Sequence, residues 1–124
     1  MKRFVAHWLP VVGLCVAIFI ESSQPLPDLA PEIPLLDKIL HFFAWAVLGF
    51  LFFRAYAGTT YFAHPLKNST GKNTLFWISF VSAALYGVSD EIHQYFVPVR
   101  SADPLDVLAD IIGSLCGAMG GAKW

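Results

Sequence analysis

Four apolar runs, at residues 4–20, 40–56, 75–89 and 105–122, decide what this chain can fold into. Each falls slightly short of the roughly 20 residues that a bilayer core requires. Polar neighbours can lengthen each helix, and the third run can continue through Asp90 and Glu91 to Phe96, where Pro98 stops it. With 56% of its 124 residues hydrophobic and 14% charged, a soluble domain of this size lacks the volume to bury its apolar surface. Lipid is the better solvent. The expected fold is all-α: one domain over 1–124, a polytopic membrane protein with four transmembrane helices at about 4–20, 37–56, 74–96 and 104–122. Lys2 and Arg3 precede the first run as they would in a signal peptide. Glu21-Ser22-Ser23-Gln24-Pro25 follows it in place of a small-x-small cleavage site, so an uncleaved first helix is expected.

The connections differ in chemistry. Residues 22–36 hold Pro25, Pro27, Pro31 and Pro34 with Asp28 and Glu32, which reads as an extended, proline-stiffened external loop. Residues 57–74 form a polar loop, and residues 97–104 a short turn with Pro98, Arg100, Asp103 and Pro104. Four spans put both termini and the 57–74 loop on one side, together with Lys2, Arg3, Arg54, Lys67, Lys72 and Lys123. Only Lys38 and Arg100 remain for the other side, so the termini are expected in the cytoplasm. Glu21, Asp28, Glu32, Asp37, Asp90, Glu91, Asp103, Asp106 and Asp110, all nine acids, then gather on or near the external side. Trp8, Trp45, Tyr56, Trp77, Tyr95 and Trp124 fall mostly near run ends, as an interfacial belt does.

Ionisable groups at the edges of apolar runs are costly unless paired or solvated, and they mark the first place to look for function. Asp37 and His41 share one helix face, with His41 a turn inside the second run. The pair suits acid–base work or metal binding; equally, it suits a helix start, a lysine anchor at Lys38 and a histidine bonded to a neighbouring helix. Asp90 and Gln94 share a face of the third helix and Glu91 lies beside it, whereas His93 points elsewhere and is expected at the surface with Asp103. Asp106, Asp110, Gly113, Gly117 and Gly121 follow one face of the fourth helix. The glycines permit close helix contact, within the chain or in a homo-oligomer. Asp110 needs a partner, with Lys38, His41 and Arg100 as candidates. Arg100 suits two-toothed recognition of phosphate or carboxylate, or simply neutralises the acids around it.

Several function classes are excluded or weakened. A net charge of −1 does not suit nucleic acid, which needs a basic face. There is no glycine-rich phosphate loop, no Cys-x-x-Cys and no His-Glu-x-x-His, and neither Ser89 nor Ser101 lies in a nucleophile frame. Cys15 and Cys116 fall within apolar runs and read as buried small hydrophobes.

Ser22-Ser23-Gln24-Pro25, Asp37-Lys38-x-x-His41-Phe42, Asp90-Glu91-x-x-Gln94, Arg100, Asp106 and Gly113-x-x-x-Gly117 together resemble the VanZ-like membrane protein family. The resemblance covers almost the whole chain and rests on the order and spacing of these pieces between four apolar runs. It departs at Asp110, where asparagine is expected in many relatives. It implies a multi-pass protein of the bacterial cytoplasmic (inner) membrane, in a family named for a member linked to low-level teicoplanin resistance. It supplies no catalytic mechanism.

Three functions are open to such a chain. In the first, His41, Glu91 and Asp106 form a catalytic set on the external face, and Lys38, Arg100 and Gln94 bind substrate. The ligand there is a membrane lipid or a lipid-linked, phosphate-bearing envelope precursor. A divalent cation held by Asp37, by Asp90 or Glu91, and by Asp106 is a variant of it. In the second, the cluster is a structural clasp joining helices. The third, proton- or cation-linked transport, is weakened because the cytoplasmic halves of the helices lack ionisable groups.

Overall fold

A computed structural model describes residues 1–25, 35–59, 69–98 and 100–123. They form four helices in chain order: α1 (Lys2–Ser22), α2 (Leu36–Gly58), α3 (Ser69–Phe96) and α4 (Pro104–Lys123). All four are long and apolar enough to cross a membrane. At a rise of 1.5 Å per residue, the 20 residues of α4 extend about 30 Å, a bilayer core's thickness. No strand occurs among the described residues. This is what lipid demands, since a helix satisfies its own backbone groups.

α2 and α4 form the most extensive pair, α3 packs on both, and α1 lies at the periphery. Glycine sets the closeness of the central pair. A Cβ at Gly113 would collide with the Phe42 carbonyl, one at Gly117 with the Ala46 carbonyl, and one at Gly121 with the Phe53 ring. Gly49 on α2 faces the Ser114 carbonyl in the same way. The glycine face, for which a second copy of the chain was one expected partner, is thus covered by α2 of the same chain.

Leu9, Phe43, Leu85 and Leu108, one on each helix, are more than half exposed and suit contact with lipid. Val11, Leu48, Ala55, Ala83 and Ala118 make the apolar interior. Trp45 joins them at 2% exposure and donates its indole N–H to the Ala83 carbonyl at 3.1 Å. Its expected place in an interfacial belt is corrected: the ring needs a buried acceptor, and α3 offers one. Cys116 is exposed and Cys15 half-buried, both as free thiols, so only Cys15 approaches its expected burial.

The polar residues 69–73, expected in a loop, open α3 instead. No proline interrupts them, and the Thr74 hydroxyl bonds back to the Thr70 carbonyl at 3.1 Å. Residues 26–34, with most of the proline-rich loop, and residues 60–68, with His64 and Lys67, lie outside the described residues.

Candidate functional site

The antiparallel order brings the C-terminal ends of α1 and α3 to the same end of the bundle as the N-terminal ends of α2 and α4. Every acidic residue among the described ones lies at that end. Their side chains divide into two sets.

The first set is closed. The Ser22 hydroxyl, fully buried, donates to Asp90 Oδ1 at 2.5 Å, and Gln94 Nε2 donates to Asp90 Oδ2 at 3.1 Å. Ser23 already donates its hydroxyl hydrogen to the Phe19 carbonyl, so His93 Nε2 is the donor in their 2.9 Å bond. The His93 ring also stacks on Phe19. His93, expected at the surface, therefore joins α3 to α1. Arg100 donates to the Gln24 and Glu21 carbonyls and to Glu21 Oε1 at 2.7–2.9 Å. It thereby ties the chain at the end of α1, where the Glu21 carbonyl also accepts from the Gln24 N–H. Together these contacts clasp the peripheral helix to the rest.

The second set joins α2, α3 and α4. Asp103 begins α4: its Oδ1 accepts from the Leu105 N–H at 2.9 Å, with Pro104 next in line where a missing N–H costs nothing. Its Oδ2 accepts from Lys38 Nζ at 2.8 Å, and the same ammonium reaches Asp37 and Asp106 at 3.0 Å each. The Lys38 hydrogen bond holds the Asp103 carboxyl below the usual carboxylate range, and the Leu105 N–H adds to that. Asp103 is thus a junction between two helices. The signal was present in the sequence, because Asp-Pro before an apolar run is a helix start.

A turn deeper, His41 Nδ1 donates to Asp110 Oδ1 at 2.8 Å. The His41 ring stacks on Trp45 at 5.3 Å between centroids, with the planes only 6° apart, and Trp45 packs in turn on Tyr86. The imidazole is consequently fixed on one nitrogen and one face. Of the three candidate partners for Asp110, the bundle uses His41. Glu91 Oε2 accepts from the Asp103 N–H at 3.1 Å. Glu91 Oε1 and Asp110 Oδ2 are buried without a hydrogen-bond partner among the described residues. His41, Glu91 and Asp106 each present a ligand atom, and these atoms lie within 4.8 Å of one another.

The residues expected to act together are therefore separated in part. Lys38, His41, Glu91 and Asp106 converge, joined by Asp103 and Asp110. Gln94, Asp90 and Arg100 belong to the clasp. Asp37 touches the cluster only through Lys38.

Neither a search of curated proteins nor one of solved structures returns a match. A family model described as VanZ/LLP1 matches residues 8–121, which takes in all four helices, the clasp and the cluster. The chain, with its four spans and its acidic helix-end cluster, belongs to the VanZ/LLP1 family.

Proposed function

We propose that the cluster on α2, α3 and α4 binds or processes a phosphate-bearing lipid of the cell envelope. The observation that carries this reading is Glu91 Oε1, which has no hydrogen-bond partner among the described residues, on a residue 95% buried and grouped with His41 and Asp106, the latter bonded to Lys38. Orphaned buried carboxylate oxygens are costly, so this one points to a ligand rather than to packing. An apolar groove of about 400 Å³, lined by Trp8, Val11, Cys15, Phe19, Phe52 and Tyr86, runs along α1. Tyr86 connects it through Trp45 to His41, and it has room for an acyl or prenyl chain.

In this reading Lys38 holds the phosphate, and His41 and Glu91 move protons at it. The six basic residues toward the other side support cytoplasmic termini and an outward-facing cluster in a bacterial inner membrane. The test is binding of farnesyl phosphate to the detergent-purified chain, read by native mass spectrometry and by Trp45 quenching. Lys38→Ala and Glu91→Gln should each weaken binding by at least about tenfold, which is 1.4 kcal/mol. Full retention in both variants would remove the proposal.

A second reading applies to the closed set. Ser22, Asp90, Gln94, Arg100 and Glu21 bond to one another and to backbone, and a structural clasp accounts for them.

A further inference from the structure

We infer that His41, Glu91 and Asp106 form a binding site for one divalent first-row transition ion, with one ligand from each of three helices. Four observations converge on it, and none depends on which lipid, if any, is the ligand.

The first is geometric. The three ligand atoms already lie within 4.8 Å of one another. Ligands bonded to one zinc ion at about 2.1 Å stand roughly 3–4 Å apart, so small side-chain rotations close the set. The second is the orientation of the imidazole. Asp110 Oδ1 accepts from His41 Nδ1, which leaves Nε2 as the ligand atom. A carboxylate behind a histidine is the usual support of a metal-bound imidazole, fixing its tautomer and raising its basicity. The Trp45 ring below holds the plane.

The third is the orphaned oxygen. Glu91 uses Oε2 on the Asp103 N–H and has no hydrogen-bond partner for Oε1 among the described residues, although the residue is only 5% exposed. An ion beside Oε1 gives that atom the contact it lacks. The fourth is charge. Glu91, Asp103, Asp106, Asp110 and Asp37 face one ammonium, Lys38, and one imidazole, His41. Such an excess of negative charge at the edge of an apolar bundle is stabilised by a dication. Lys38 bonds Asp106 through Oδ1 and so steers that carboxylate toward the site. The donor set of one imidazole and two carboxylates suits zinc, manganese or iron(II) better than magnesium or calcium, which prefer oxygen alone.

The test uses the full, tag-free chain in detergent, with Cys15→Ser and Cys116→Ser to remove thiol binding. The protein is stripped with EDTA, dialysed and titrated with Zn²⁺ and, separately, Mg²⁺ by calorimetry. One Zn²⁺ per chain is expected, with Mg²⁺ weaker by at least about 100-fold. Glu91→Gln and His41→Ala should each reduce Zn²⁺ affinity by about 100-fold or more, and Asp110→Asn by about 10- to 100-fold. His93→Ala, in the clasp, should bind Zn²⁺ as the parent does. Zn²⁺ should also raise the melting temperature of the parent and not that of Glu91→Gln. Glu91→Gln keeps an acceptor for the Asp103 N–H, so folding is retained and the comparison is fair. Substoichiometric Zn²⁺, equal affinity in Glu91→Gln and the parent, or equal affinity for Mg²⁺ would each overturn the assignment. Farnesyl phosphate binding in EDTA by a chain that takes no Zn²⁺ would overturn the metal site alone. A single Zn²⁺ without lipid binding would sustain the metal site and remove only the lipid reading.

Discussion

His41 and Asp110 meet at 2.8 Å across the α2–α4 seam, although 69 residues separate them in the chain. Asp110 is fully buried, and its second oxygen has no hydrogen-bond partner among the described residues. Removing the whole carboxyl with Asp110→Ala strands the His41 N–H and opens a cavity. A loss of about 3 kcal/mol in detergent unfolding is expected, since breaking a buried pair costs that much. Asp110→Asn keeps a carbonyl to accept the N–H and removes a buried charge. It should stay within about 1 kcal/mol of the parent. A loss below about 1 kcal/mol in both variants would mean that the pair does not hold the seam.

Arg100 and the Lys38 cluster are separable by mutation. Arg100→Gln removes contacts to Glu21 and to two carbonyls at the end of α1. Ser22→Ala removes the donor to Asp90. Each should lower stability in detergent by about 1–2 kcal/mol, the range for charge-assisted and buried hydrogen bonds. Neither should alter ligand affinity at His41, Glu91 and Asp106. A selective loss of binding in Arg100→Gln, with an unchanged melting temperature, would assign the guanidinium to the ligand instead.

The Asp103 carboxyl, held below the usual range by Lys38, gives the fold an acid limb. A lowered folded-state pKa means that this contact contributes fully above the unfolded value, about 3.9. Its contribution is lost as pH falls from there through the folded value. Melting temperatures of the parent and Asp103→Asn, compared from pH 6 down to pH 3, should therefore converge below about pH 4. A gap that held constant across the range would assign no such role to Asp103.

The sequence exposed the four spans because lipid leaves a chain few alternatives, and helix polarity then gathered the acids at one end. The i, i+4 spacing of Asp90 and Gln94 foretold a contact that the bundle makes. Pairing between helices was less legible. Which acid meets His41 depends on the register of α4 against α2, and that register follows from where glycine lets the backbones touch. Trp45 looked interfacial because aromatic position along a run carries no information about which face is turned inward. Ser22 and Ser23 carried the resemblance but no chemistry until α1 was seen to end beside Asp90 and His93.

Register gives the last prediction. Gly113 and Gly117 admit carbonyls of Phe42 and Ala46 into positions that a Cβ would occupy, and backbone cannot move aside as a flexible side chain does. Gly117→Ala should therefore separate α2 from α4 and cost roughly 1–3 kcal/mol, the range for overpacked cores. Because His41 and Asp110 lie on the same two helices, the variant should also weaken Zn²⁺ binding, despite touching no ligand. Gly13→Ala on α1 supplies the contrast: nothing lies within 4 Å of its added Cβ. With only the helix preference of alanine acting, Gly13→Ala should be neutral or stabilise by up to about 1 kcal/mol. Unfolding followed by size-exclusion fluorescence separates the two variants. If Gly117→Ala matched Gly13→Ala, glycine would not be what sets the α2–α4 distance, and the geometry of the site would have to rest on its hydrogen bonds alone.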